Sequence, residues 1–431
     1  MSNSKFYRRF LSQACSVFLL LALGNVAAQA QGSLSLSLEQ AITQTMVRNP
    51  QLQTLGYAMR AQDGRILQAG LSPRPELNVT VENAFGTGVA QGLSQAQATV
   101  SIAWVLEGDL KQRRIDVARI GSEALADEAQ RTRLDAAAQT ARYYTRALEQ
   151  LLHRDIADAA LTLAQEAVTA VEERVSAGST LSAELARAQA ELAKRELFRE
   201  DVDHEMTTAN HLLAAQWGDL TPAFNELEGA PLSLPAIEPF DVLLARLEQN
   251  PDLSKYFTQT RLRESILRLE QANARSPWSV STGIRRIQGS ADFGLVAEVN
   301  IPLGFGNNNQ GSIAQARENL SQTAVEREAV MIGLQTRLLG IYLDLEHSLH
   351  RATTLKDAVI PRYEEALTEI RRAYDLGSAS YLDRLQVQEE LLAARSDLAE
   401  TSIQAHLDII EIERITGVRI AQLSPIQRGT P

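Results

Sequence analysis

One cysteine occurs in 431 residues, Cys15, and it lies inside an N-terminal stretch that reads as a leader. Lys5, Arg8 and Arg9 precede an apolar core at 17–23, and Ala28-Gln29-Ala30 puts small residues at the −3 and −1 positions of a signal peptidase site. Residues 1–30 are thus expected to be a signal peptide, and the mature chain, from Gln31, to hold no cysteine. That excludes disulfides, thiolate metal ligands and a cysteine nucleophile from an exported protein. Cys15 also precedes the apolar core, the wrong order for lipid attachment. Aromatic residues are only 5 % of the chain, too few for several globular cores. No mature segment approaches the ~20 consecutive apolar residues of a spanning helix, so membrane contact has to be made by strands. Basic residues are in deficit, 42 against 53 acidic for a net −11, and −14 remains without the leader's three basic residues. Such a balance argues against nucleic acid as a partner.

Glycine and proline are absent from 122–177, 179–217 and 378–416. With much Ala, Leu, Glu, Arg and Gln, these stretches predict long packed helices. At ~1.5 Å per residue the first is a rod of about 84 Å. Its counterpart at 312–376 is of similar length, with Gly333, Gly340 and Pro361 as candidate bends. Two tips of one design turn these rods around. Gly178 is followed by Ser179-Thr180, and Gly377 by Ser378-Ala379-Ser380. Each Gly suits a left-handed C-cap, each Ser or Thr an N-cap, and five residues separate each Gly from an acid, Glu184 or Asp383. Behind each tip run 39 residues before the next Gly, equal arms that indicate a duplication. The second arm repeats Leu391, Leu398, Ala405 and Ile412 every seventh residue, with Val387 and Ala394 between, as in a coiled coil.

Other signals also occur twice. Helical spacing at 34–70 breaks at Asn49-Pro50, and Asn250-Pro251 repeats that entry 201 residues later. After Pro73 and Pro277 the pattern changes to period two. Leu77, Val79 and Val81, then Val100, Ile102 and Trp104, alternate with polar or small residues; so do Trp278, Val280 and Ile284, then Phe293, Leu295, Ala297, Val299 and Ile301. Each half therefore offers two strands of about ten residues, the length a tilted strand needs to cross a bilayer. The expected layout is a first repeat at 31–217, a Pro-rich linker at 218–240 that packs outside the helices, a second repeat at 241–417 and a patternless tail at 418–431. The turn at 301–311 leads from strand back to helix. The fold class is mainly α with a small β part. Four strands cannot close a barrel, and an open edge in hydrocarbon leaves peptide groups unpaired. Two chains give eight strands, which side chains fill; three give twelve and a lumen.

This constellation resembles the TolC family of outer membrane factors over essentially all of the mature chain. Pro75-Glu76-Leu77, Val81-Glu82-Asn83 and Asn309-Gln310-Gly311 are most similar to the outer membrane components of cobalt–zinc–cadmium or copper efflux systems. The resemblance implies a homotrimer whose long antiparallel helical hairpins form an α-barrel across the periplasm and whose strands close a 12-stranded β-barrel in outer membrane lipid. It implies docking to a periplasmic adaptor and an inner-membrane proton-driven pump of the RND type, and opening by an iris-like loosening of the tips. In the family a Tyr three before the second-tip Gly and an Arg two after it bind the first-tip acid. Tyr374 and Glu184 match, but Ala379 stands where the Arg would be. Asp383 matches a family acid that rings the entrance and attracts cations, whereas Gln386 replaces the acid three residues on.

Each residue also has a plainer reading. Glu184 and Asp383 are equally first-turn acids favouring a helix N-terminus, and Tyr374 a packing residue. Glu82, Arg285 and Glu298 lie opposite the apolar side of their strands, in a lumen or in solvated loops. His204 and His211, seven apart, and His347 and His350, three apart, have no clustered partners for a metal. No nucleophile elbow, phosphate loop or paired metal motif is present, so neither enzyme nor cofactor is expected. The reading is an exit duct of a tripartite exporter of heavy-metal cations. The alternatives are a duct for drugs or for type I secretion, a soluble periplasmic coiled-coil adaptor, and, most remotely, a hydrolase or metal-storage protein.

Overall fold

The computed structural model describes residues 35–302 and 308–417. The expected signal peptide, the turn residues 303–307 and the expected tail lie outside them. Helix α1 (Leu38–Arg48) starts where Ser37 and Gln40 cap one another reciprocally, side chain to backbone N–H in both directions. The cap ends the helix pattern that the sequence carries back to Leu34. Residues before it are extended, and β1 (Ser35–Leu36) pairs in parallel with β4 (Glu226–Leu227) of the linker. Tyr144 locks this pair from below, its hydroxyl 2.7 Å from the carbonyl of Leu36 and 2.5 Å from that of Glu228.

After α2 (Pro50–Ala69) come β2 (Glu76–Glu82) and β3 (Gln97–Leu106), then α3 (Leu110–Ser176) and the returning α4 (Ser182–Ala214). The second half repeats this order. A short α5 (Phe240–Arg246) leads to α6 (Pro251–Asn273), β5 (Trp278–Ile287), β6 (Asp292–Asn300), α7 (Gln310–Thr354), α8 (Ile360–Asp375) and the returning α9 (Tyr381–Thr416). Helix α3 has 67 residues, roughly 100 Å at 1.5 Å each; it begins earlier than the Gly-free stretch and runs through Gly121. Gly333 and Gly340 do not interrupt α7, which stays α-helical through both; glycine costs a helix about 1 kcal/mol against Ala but leaves its hydrogen bonds intact. The break comes at one π turn, Leu355–Val359, just before Pro361. Pro361 has no N–H to give to residue 357, and its ring would collide with that carbonyl, so the backbone widens there.

The two Asn-Pro entries have a tertiary role. Asn49 accepts from the N–H of Leu52 at 3.1 Å, capping α2, while its amide donates to the carbonyl of Gln216 at 2.7 Å, at the end of the α4 arm. Asn250 caps α6 through the N–H of Asp252 and donates to the carbonyl of Ile415 at the end of α9. Each returning arm finishes at a left-handed glycine, Gly218 (φ 78°) or Gly417 (φ 73°), set against the ring of the entry proline. A Cβ there would stand 3.4 Å from Pro50 Cγ or Pro251 Cδ. Each half is thus closed on itself by one Asn-Pro/Gly joint.

Two cores lie beside these joints, one around Trp217, Leu213, Tyr144 and Phe224, the other around Leu247, Leu253, Leu338 and Ile415. The heptad positions Leu391, Leu398, Ala405 and Ile412 of α9 are buried, but so are Ile403 and Ile410. The buried stripe is wider than a two-helix seam because α9 packs against α3, α7 and α8 together. Charge ties the halves at this level. Arg414 reaches Asp135 at 2.8 Å, and Glu411 takes both Arg142 at 2.5 Å and Arg337 at 2.8 Å.

Candidate functional site

Two regions carry the residues singled out above: the sheet at one end and the hairpin tips at the other. The sheet order is β2-β3-β5-β6, antiparallel throughout, with β2 and β6 as open edges. Register aligns side chains into rows. Val79, Val100, Ile284 and Leu295 form one row, and Leu77, Ile102, Thr282 and Ala297 the next. That face is exposed, Leu77 at 68 % and Leu295 at 89 %, which in water is unfavourable at about 25 cal/mol per Å². Trp104 and Trp278 lie at its end nearer the helices.

The opposite face is polar, and Glu82, Arg285 and Glu298 all lie on it. Arg285 donates from Nε to Thr99 Oγ1 at 2.9 Å, while its Nη2 stands 3.4 Å from a Glu82 carboxylate oxygen. Glu298 shares a row with Glu76, Ala103 and Ser281, toward the helices.

At the tips Gly178 and Gly377 have φ of 69° and 77°. The chain reverses there because the next residue's N–H returns to the helix carbonyl five back, Ser179 to Arg174 and Ser378 to Ala373, each at 2.9 Å. The two restarts differ. Ser380 and Asp383 make a full capping box on α9, whereas the N-cap position of α4 is Leu181, which offers no side-chain cap. Thr180 instead donates to Glu184 Oε2 at 2.5 Å. The exposed Asp383 carboxyl is held below its ordinary range by the hydroxyl and N–H of Ser380.

Tyr374 is 1 % exposed, in an apolar cluster with Ala167, Val171, Ala188 and Tyr381 that joins the two hairpins. Burial pushes its phenol up. Its contact with the first tip is made by Arg174, which donates Nη1–H to the Tyr374 carbonyl at 2.6 Å and lies 4.5 Å above the ring centre. Arg384 covers the ring from α9 at 5.6 Å; burial, then Arg371 nearby, lowers its affinity for its proton. Glu184 bonds to Thr180 rather than to Tyr374. Neither Arg174 nor Arg384 stands out in the sequence. A cation in the last turn of a helix is the ordinary complement to its dipole, so nothing local distinguishes Arg174.

The family described as outer membrane efflux protein matches residues 247–418, from the end of α5 through α9. The cobalt-zinc-cadmium resistance protein CzcC of Cupriavidus metallidurans is 27 % identical over 382 residues, 89 % of this chain and 90 % of that protein. Over 247–418 the chain is similar to the outer membrane efflux proteins. A second relative, the nickel-cobalt-cadmium resistance protein NccC of Alcaligenes xylosoxydans, is 22 % identical over 316 residues, 73 % of this chain and 70 % of its own. The fold matches the crystal structure of CusC, described in terms of transmembrane channel formation, with TM-score 0.73 at 15 % identity, covering 91 % of this chain and 96 % of that one. The open sheet and paired hairpins thus share the fold of that structure. Among the described residues no helix is long and apolar enough to cross a membrane, and no three His, Cys, Asp or Glu side chains group as a metal site. His406 is tied to the carbonyl of Pro231 at 3.1 Å.

Proposed function

We propose that this protein is the exit duct of a tripartite exporter of heavy-metal cations. Three copies pair β2 edges with β6 edges to close twelve strands in the outer membrane, and the helical hairpins cross the periplasm to meet an adaptor and an inner-membrane pump. The observation that carries the duct reading is the exposed apolar row Val79–Val100–Ile284–Leu295 on a sheet open at both edges. Hydrocarbon covers such a face, and only further strands satisfy such edges. A strand-lined lumen then presents the polar face, where Glu76, Glu82, Asp292 and Glu298 outnumber Arg285. That excess suits cations, and CzcC and NccC are named for cobalt, zinc, cadmium and nickel resistance.

The test is growth of a deletion strain, with and without the gene restored, across zinc, cobalt, cadmium, nickel, copper and silver salts alongside dyes and antibiotics. Restorable sensitivity confined to metals is expected. Sensitivity confined to drugs would move the cargo to the multidrug class while leaving the duct in place.

A further inference from the structure

Arg285 and Arg286 are consecutive and therefore face opposite sides of β5. Arg285 is engaged on the polar face by Glu82 and Thr99. Arg286 stands on the apolar face, in the row Val81–Ala98–Arg286–Phe293. Among the described residues it pairs with no carboxylate; the Phe293 ring opposite it lies 5.4 Å from guanidinium carbon to ring centre. The next row does contain two acids, Glu82 and Asp292, but both on the polar side.

Its height in the sheet is informative. From Trp278, at the helix end of β5, to Arg286 is eight residues, ~26 Å along the strand; at a tilt near 40° that is about 20 Å along the membrane normal. The apolar rows fill this interval, with Trp278 at one boundary and Arg286 at the other, one pair short of the hairpin turn. A cation on the lipid side of a barrel is costly at the midplane and nearly free at the interface. At the interface its apolar neighbours cannot neutralise it, and the anions present are lipid phosphates.

We infer that Arg286, seated on Phe293, docks the phosphate of an outer-leaflet lipid. This rests on the strand-barrel reading proposed above. Phe293 fills the acyl boundary beneath the guanidinium and holds it outward, and the planar fork suits two phosphate oxygens.

The test is retention of a phosphate-bearing glycolipid of the lipid A type by the purified full-length protein in phosphatidylcholine nanodiscs, counted by native mass spectrometry. Arg286→Gln is expected to lower retention about fivefold, the effect of one surface charge on an anionic lipid. Arg286→Lys should keep most of it, and Arg285→Gln, the same charge change on the other face, should retain wild-type levels. Equal retention by wild type and Arg286→Gln overturns the inference, as does an equal loss from Arg285→Gln. Competition by millimolar inorganic phosphate as effective as detachment by the variant would replace a lipid site with a soluble-anion site and also overturn it. Failure of the wild-type protein to enter the nanodisc would overturn the barrel reading itself, whereas normal insertion with unchanged retention overturns this inference alone.

Discussion

Arg174, in the last turn of α3, clasps Tyr374, in the last turn of α8: its Nη1 donates to the tyrosine carbonyl at 2.6 Å and its guanidinium covers the ring at 4.5 Å. This contact binds the first hairpin to the second at the tip.

If the tips close the duct, Arg174→Ala should raise open-state occupancy in planar bilayers about tenfold, from a cation–π contact of ~0.5–1 kcal/mol and a hydrogen bond of ~1 kcal/mol. Ala379→Arg, which supplies the cation that the TolC-family resemblance implies two residues past the glycine, should lengthen closed periods, most visibly in the Arg174→Ala background. Recordings in which neither variant alters occupancy would remove this contact from gating.

Asp383→Asn should reduce cation selectivity, read as a reversal-potential shift under a salt gradient, with little change in thermal stability. The amide keeps an oxygen for the Ser380 cap, and a first-turn charge contributes only ~0.5 kcal/mol to a helix. An unchanged reversal potential would place Asp383 outside the conducting path.

The joints predict a matched pair of stability losses. Gly218→Ala and Gly417→Ala each force a side chain into a left-handed residue with φ of 78° or 73°, costing ~1–2 kcal/mol, and bring a methyl 3.4 Å from Pro50 or Pro251. Thermal midpoints of the single variants should fall by similar amounts, and the double variant by their sum, since the joints share no residue.

Glu413 gives a pH dependence. Among the described residues one buried oxygen of its carboxyl has no partner, and burial pushes its pKa up to about 7. The folded state holds the proton more tightly than the unfolded, so this group's contribution is most favourable below about 4.5 and is lost as pH rises through about 7. Glu413→Gln should therefore stabilise the fold at pH 8, by on the order of 2 kcal/mol, and leave it nearly unchanged at pH 4. Equal effects at both pH values in thermal melts would show that the carboxylate finds a partner in the assembled protein.

What was legible in the sequence was whatever a short stretch of chain decides for itself. The strand alternation from Leu77 to Val81 and the glycine at each tip needed only local rules. The two-residue strands at Ser35–Leu36 and Glu226–Leu227 are too short to show a period, and their pairing depends on residues 191 positions apart. The junction of the halves through β3 and β5, the meeting of Asn49 with Gln216, and the reach of Arg174 to Tyr374 are likewise long-range. Local capping and dipole preferences are satisfied in each of those residues before the distant partner arrives, so the sequence gives no sign that anything is missing. Pro361 marks the one interruption of its rod, the π turn at Leu355–Val359, whereas Gly333 and Gly340, which weaken a helix without removing a hydrogen bond, leave theirs continuous.

Gly178 and Gly218 are 40 positions apart, and so are Gly377 and Gly417. Both returning arms are therefore rulers of one length, about 60 Å, fixed at one end by an Asn-Pro/Gly joint and at the other by the clasp between the tips. A seven-residue insertion into both helices of one hairpin alone would carry its tip about 10 Å past the other and pull Arg174 away from Tyr374. Changes in the reach of this protein must come as matched insertions in both hairpins, in outgoing and returning helices alike, so that the depth it spans is written twice in the same gene and can be revised only by editing both copies.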